Sequence, residues 1–135
     1  MPRVFRVMKK DVDGLPIVSA TGLGVRSGID VDLDPEGYVL VNCKGMSVAP
    51  NWRDINVERL PKRLRAIVPG ARGSNNTSCF RSGSGAFGRG VFAKGLILEP
   101  DSATHGNVAP VLSVPFDSYT ADLAATRPDW EKDEA

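Results

Sequence analysis

The chain has 135 residues, of which 24% are charged, and its formal net charge is +1. A chain of this length forms one domain and buries roughly two thirds of its unfolded surface. The near-zero net charge argues against a protein that mainly coats nucleic acid, because such proteins carry an excess of Lys and Arg. No apolar run approaches the ~20 residues that cross a bilayer, so we expect no membrane association. The N-terminus lacks the apolar segment of a signal peptide, which predicts a cytoplasmic chain or one exported by a route that needs no such signal.

Only two cysteines are present, Cys43 and Cys79. Nothing in their spacing indicates a disulfide, and the missing export signal predicts two free thiols. One histidine and two scattered cysteines make a poor zinc site, so the sequence predicts no metal centre.

The N-terminal residues 3–8 alternate as a strand does, with Val4, Arg6 and Met8 on one face. Arg6 therefore lies among apolar neighbours, where its charge needs an anion or a carboxylate. The alternative is an arginine on an edge strand that extends its head group into solvent.

Turn residues 34–37 (Asp-Pro-Glu-Gly) predict a hairpin between residues 29–33 and 38–41. Further along, Pro61 suits the first turn of a short helix with Leu60, Leu64 and Ile67 on its buried side. Basic residues occupy the outer side of this helix. They form either a solvated face or a surface for phosphates.

Residues 69–90 are rich in Gly, Ser and Asn and contain two aromatic residues, Phe80 and Phe87. A long loop inside a small domain is uncommon unless it is functional or disordered. The composition predicts a mobile flap whose phenylalanines stack on a ligand or seal a pocket.

The only histidine, His105, lies in a turn between two apolar segments, residues 96–98 and 108–114. An imidazole exchanges protons near neutral pH, so this turn is the first candidate for acid–base chemistry, although a structural histidine at a strand end is the alternative. Residues 116–125 have helical periodicity, and Pro128 ends the helix. Residues 129–135 are expected to be a loose polar tail. Together these elements predict one α+β domain over residues 1–128, with two packed, mostly antiparallel sheets and a few short helices.

Three segments resemble the ADP-ribosyltransferase-like toxin family, which includes small effectors of the bacterial type VI secretion system and fungal relatives. Residues 4–8 (Val-Phe-Arg-Val-Met) are similar to its aromatic-Arg strand, and residues 45–48 (Gly-Met-Ser-Val) to its Gly-x-Ser-Val strand. Residues 103–110 (Ala-Thr-His-Gly-Asn-Val-Ala-Pro) resemble its Ala-Thr-His-x-x-(Ile/Val)-x-Pro segment, which a tyrosine-containing helix follows.

The resemblance implies a split fold of two sheets that holds NAD, the substrate, in a central cleft. Arg6 would bind a phosphate or ribose of NAD, with Thr104 beside it, and Phe80 or Phe87 would stack on the nicotinamide. Ser47 would bind a ribose or carboxamide group, and His105 would orient the ribose or act as general base. A toxin also implies a cognate immunity protein as partner and an unknown cytosolic target.

The chain departs from the transferase pattern in lacking a Glu-x-Glu or Gln-x-Glu pair. Glu99 and Asp101 are the nearest carboxylates to the histidine turn, and Glu99 is the candidate for stabilising charge on the ribose. Two other functions stay open. One is a metal-independent ribonuclease in which His105 works with Arg53, Arg63 or Arg81, so nucleic acid is possible though not favoured. The other is a non-catalytic protein-binding module.

Overall fold

The computed structural model describes residues 1–134, which form two antiparallel sheets and one α-helix. The strands are β1 (Val4–Lys9), β2 (Met46–Val48), β3 (Thr77–Ser82), β4 (Gly90–Ala93), β5 (Leu96–Pro100), β6 (Gly106–Pro110) and β7 (Glu131–Lys132). The first sheet has the order β1-β3-β7 and the second the order β2-β6-β5-β4. The expected α+β architecture is therefore confirmed.

Strand β1 is buried on both faces, because its alternating side chains enter two different apolar clusters. Val4 and Met8, both 0% exposed, belong to the main core between the two sheets. Phe5 belongs to a smaller cluster on the other face of the first sheet, with Trp52 and Leu60. Arg6 thus lies on the face of β1 that the main core covers, as the sequence alternation predicts.

A short antiparallel bridge joins the backbones of β1 and of the segment that follows β2. Phe5 and Ala49 exchange two backbone hydrogen bonds, from Phe5 N–H to the Ala49 carbonyl (2.7 Å) and from Ala49 N–H to the Phe5 carbonyl (2.9 Å). Beyond this bridge, β1 pairs with β3 and β2 pairs with β6. A cleft lined by Arg6 of β1 and Ser47 of β2 opens beside this bridge.

The expected flap over residues 69–90 is wrong, because residues 77–82 form the central strand of the first sheet. Cys79 and Phe80 of this strand are 0% exposed, and Arg6 is the direct partner of Phe80 in the register with β1. Ser78 and Ser82 are also buried. Small hydroxyl side chains fit a buried strand face, which is why this strand has the composition of a loop.

The expected loose tail over residues 129–135 is also wrong within residues 129–134. Trp130 is 1% exposed and packs in the main core, where its ring centroid lies 6.0 Å from that of Phe92. Strand β7 pairs with β3, and Asp133 N–H donates to the Cys79 carbonyl (2.9 Å). The domain therefore extends past residue 128.

The helix α1 spans Phe116–Ala125 and confirms the prediction for that segment. The expected hairpin near residue 35 contains the turn, with a bridge between Leu33 and Val39, but no regular strands. The basic segment forms only a 3-10 turn, Lys62–Leu64, and Ile67 is 47% exposed. No helix within residues 1–134 combines the length and the apolar character needed to cross a membrane.

Candidate functional site

Three residues that lie far apart in the sequence, Arg6, Ser47 and His105, line the same cleft between the sheets. Arg6 Nη1 donates to the backbone carbonyl of Ser47 (2.8 Å). The hydroxyl of Ser47 lies 2.6 Å from Nε2 of His105. The convergence that the resemblance implies is thus present in the fold.

Arg6 is held by backbone carbonyls rather than by a carboxylate. Its Nε donates to Gly22 (3.0 Å) and its Nη2 to Ala20 (3.4 Å), in addition to the bond to Ser47. A guanidinium has five N–H groups, so these bonds leave donors for a ligand. Burial, and then the neighbouring guanidinium of Arg59, lower the pKa of Arg6 to about 10. Arg6 therefore stays charged at neutral pH, and no carboxylate of residues 1–134 forms an ion pair with it.

A glycine and a tyrosine position the strand that carries Ser47. A Cβ atom on Gly45 would lie 2.2 Å from the Val108 carbonyl oxygen, so only glycine allows this approach of β2 to β6. In the space beside it, the hydroxyl of Tyr119 donates to Val108 O (2.5 Å) and accepts from Met46 N–H (3.1 Å). Burial raises the pKa of this tyrosine. Tyr119, which lies on α1, therefore holds β2 beside β6 through the hydrogen bonds of a neutral phenol.

His105 connects Ser47 to a carboxylate. Nδ1 of His105 lies 2.8 Å and 2.9 Å from the two carboxylate oxygens of Asp101. A carboxylate only accepts, so Nδ1 carries a proton, and in the neutral ring Nε2 is left as an acceptor for the Ser47 hydroxyl. The Asp101 side chain is 55% exposed and that of His105 is 42% exposed. The hydrogen-bonded series Asp101–His105–Ser47 can polarise the Ser47 hydroxyl, or His105 can take a proton from a bound molecule.

The cleft has two lobes. The His105 lobe has a volume of about 300 Å³ and the Arg26 lobe about 370 Å³, each at the small end of the usual range of roughly 300–1,000 Å³ for ligand sites. Polar residues of the His105 lobe include Arg6, Ser47, Asp54, Arg59, Thr104 and His105. Those of the Arg26 lobe include Arg6, Arg26, Asp30, Ser47, Glu58 and Arg59.

Two guanidiniums lie where the lobes meet, since Arg6 and Arg59 line both of them. Arg59 is exposed and forms no ion pair within residues 1–134, whereas the adjacent Glu58 pairs with Arg72 (3.3 Å). An anion bound between two like charges offsets the repulsion between them. In the sequence, Arg59 belongs to the basic stretch, whose alternatives are a solvated face and a surface for phosphates, and no pattern singles it out from the other basic residues.

Glu99, the candidate carboxylate, does not line either lobe. Its register partner is Asn107, whose partner on the other side is Ser47, so Glu99 shares a sheet face with Ser47 but stands two strands away. One oxygen of Glu99 accepts from the thiol of Cys43 (3.0 Å), and Arg89 contacts the other. The structure therefore places Glu99 outside the cleft.

The two candidate aromatic residues do not line the cleft either. Phe80 is 0% exposed in the main core, so stacking on a nicotinamide is ruled out by its packing. Phe87 is half-buried against the main core, near Gly106 and beneath the histidine turn. Thr104, by contrast, lines the His105 lobe as expected.

The arginines of the ribonuclease hypothesis also lie outside both lobes. Arg53 stacks on Trp52, with 4.6 Å between its guanidinium carbon and the ring centroid. Arg63 binds Glu134, and Arg81 binds Asp133 (2.9 Å). These contacts give each arginine a structural partner.

Comparison with known proteins identifies no relative: no family model, curated protein or solved structure matches the chain.

Proposed function

We propose that the chain is a toxin with an NAD-dependent ADP-ribosyltransferase-like site in the cleft between β1 and β2. One observation carries the proposal: two lobes of similar volume meet at a pair of guanidiniums, Arg6 and Arg59. NAD has the same organisation, with two nucleosides on either side of a diphosphate. Arginine is well suited to bind phosphate oxygens through paired N–H donors.

The remaining polar groups support a role in the reaction. Ser47, beside Arg6, can hydrogen-bond a ribose hydroxyl or the carboxamide. His105 accepts a proton at Nε2 while Asp101 holds its other nitrogen, which is the arrangement of a general base. In this proposal His105 deprotonates the acceptor that replaces nicotinamide on the ribose. The toxin acts in the cytosol of a target cell and is neutralised by an immunity protein that covers the cleft.

The proposal is tested by inducing wild type, Ser47→Ala and His105→Ala in a bacterium while growth and the cellular NAD content are followed together. We expect wild type to stop growth and deplete NAD, and both variants to relieve the two effects. Lys62→Ala serves as the matched control, because Lys62 is exposed on the basic turn and lines neither lobe. Circular dichroism of the purified variants establishes that they fold.

Other outcomes would replace the proposal. Growth arrest with degraded RNA and an unchanged NAD content would favour a ribonuclease. Harmless expression, with no change in the unfolding temperature on addition of NAD, would favour a binding module, since a ligand held by the folded state raises that temperature.

A further inference from the structure

We propose that Asp54 is the carboxylate that stabilises the positive charge developing on the ribose when nicotinamide leaves. It follows that the nicotinamide riboside half of NAD occupies the His105 lobe and the adenosine half occupies the Arg26 lobe. This inference rests on the proposed function and specifies its chemistry and binding orientation.

Asp54 is presented by a short, well-anchored turn. It ends the 3-10 turn Trp52–Asp54, in which Trp52 is 3% exposed and packs in the smaller apolar cluster. The side chain of Asn51 accepts from Arg53 N–H (3.1 Å), and the Asn51 carbonyl accepts from Asp54 N–H (3.0 Å). The backbone of Asp54 is therefore fixed at the wall of the His105 lobe.

The other carboxylates near the cleft are already engaged. Asp101 binds His105, Glu99 binds Cys43 and Arg89, and in the Arg26 lobe Asp30 pairs with Arg26 (3.4 Å) and Glu58 with Arg72 (3.3 Å). Asp54 is the carboxylate that lines the His105 lobe. Its side chain forms no hydrogen bond or ion pair with another residue of the described range 1–134.

The arrangement of charges makes the two lobes of the cleft different. Arg6 and Arg59 lie at the junction of the lobes, where they favour the diphosphate, and Asp54 shares its lobe with Ser47 and His105. A free carboxylate favours the group that becomes cationic, which in NAD is the ribose attached to nicotinamide. The proton acceptor His105 and the charge stabiliser Asp54 are then on the same half of the substrate.

The chemical step is balanced without a further cofactor. The bond between ribose C1′ and the nicotinamide nitrogen breaks, its electron pair stays on the nitrogen, and nicotinamide leaves as a neutral molecule. The positive charge passes to C1′ and the ring oxygen, facing Asp54. A hydroxyl of water or of an acceptor forms the new bond to C1′ and transfers its proton to Nε2 of His105.

The test uses purified protein and two separate measurements on wild type and Asp54→Asn: binding of ADP-ribose by calorimetry and release of nicotinamide from NAD. We expect Asp54→Asn to bind ADP-ribose within about twofold of wild type. We expect its kcat for nicotinamide release to fall roughly 10- to 100-fold with little change in KM, which is less than the loss on removing a charge-stabilising group from a water-excluded site, because Asp54 is exposed. Glu36→Gln, which removes an exposed carboxylate that lines neither lobe, is the matched control and should retain wild-type kcat.

The measurements separate the two proposals. Wild type that binds neither ADP-ribose nor NAD overturns the proposed function, and the role of Asp54 with it. Wild type that releases nicotinamide while Asp54→Asn does so equally fast overturns the role of Asp54 alone, as does binding of NAD without any turnover. A kcat for Asp54→Glu above that of Asp54→Asn supports the role, because glutamate restores the negative charge on a side chain that is one methylene longer.

Discussion

The hydroxyl of Ser47 lies 2.6 Å from Nε2 of His105 although 58 positions separate the two residues in the chain. They are brought together because β2 pairs with β6 and the histidine turn directly precedes β6. The imidazole is oriented from its other side by Asp101, four residues earlier in the same turn. A histidine fixed at both nitrogens is better suited to proton transfer than one that rotates freely.

Asp101→Asn tests this orientation. An asparagine can keep the position of the side chain but no longer favours the tautomer with a proton on Nδ1. We expect nicotinamide release to fall about 10- to 100-fold, the range seen when an outer-shell group that orients a metal-bound histidine is removed. His105→Ala should cost more, roughly 100- to 10,000-fold. Equal rates in wild type and Asp101→Asn, measured as kcat from pH 6 to 9, would show that the contact is only structural.

Arg59→Ala tests the pair of guanidiniums. A hydrogen bond to a charged group contributes about 1.5–3 kcal/mol, so the affinity for ADP-ribose should fall roughly 10- to 100-fold. Because Arg59 is exposed, the variant should fold normally, whereas loss of Arg6 would leave three backbone carbonyls without their donor. Calorimetry with ADP-ribose and with adenosine distinguishes the loss of a diphosphate contact from a general loss of binding. Adenosine lacks the diphosphate, so wild type and Arg59→Ala should bind it alike. Unchanged ADP-ribose affinity would contradict the role of Arg59.

Much of the framework follows from local sequence patterns. Alternation in residues 4–8 places Arg6 on the core face of β1, and the helical period of residues 116–125 predicts α1 with the bounds observed. The contact of Arg6, Ser47 and His105 depends on strand pairing over long distances. No periodicity in the sequence specifies that pairing, and only the resemblance predicts it.

The two wrong expectations, the flap over residues 69–90 and the loose tail after residue 128, have a common physical origin. Ser78 and Ser82 on β3 and the short strand β7 look like loop segments, because their burial is decided by partners elsewhere in the chain. For the same reason, no local pattern singles out Asp54 or Arg59. They are ordinary charged residues of a turn-rich segment, and their neighbours Trp52 and Leu60 anchor that segment in the smaller apolar cluster.

Trp130→Ala should destabilise the protein by about 3–5 kcal/mol, the usual cost of truncating a large buried aromatic side chain. The indole packs in the main core, and its Nε1 donates to the hydroxyl of Thr126 (2.9 Å). Urea unfolding followed by circular dichroism measures the free energy of unfolding. Lys132→Ala, on the exposed strand beside it, provides the control and should change that free energy by less than about 0.5 kcal/mol. A loose C-terminal segment would instead make the two variants equally stable.

The two thiols should differ in reactivity. Burial raises the pKa of Cys79 to about 12, so this thiol should react with a disulfide reagent only after unfolding. Cys43 is exposed, but its hydrogen bond to Glu99 raises the pKa of its thiol. Glu99→Gln should therefore accelerate modification of Cys43 at pH 8 while Cys79 stays protected. No acceleration would contradict the placement of Glu99 against Cys43 rather than in the cleft.

Asp13 should make stability depend on pH in the acid range. A hydrogen bond from Arg127 (2.7 Å), followed by one from Leu15 N–H, lowers the pKa of its carboxyl below the ordinary value of 3.8. The unfolded chain then binds the proton more tightly than the folded one, so the stabilisation is present above pH 3.8 and is lost as the pH falls through the lower folded-state value. Wild type should unfold at a higher temperature than Asp13→Asn at pH 6, and the difference should shrink as the pH drops below 3.8. A difference that stays constant over this range would mean that Arg127 does not favour the ionised carboxylate.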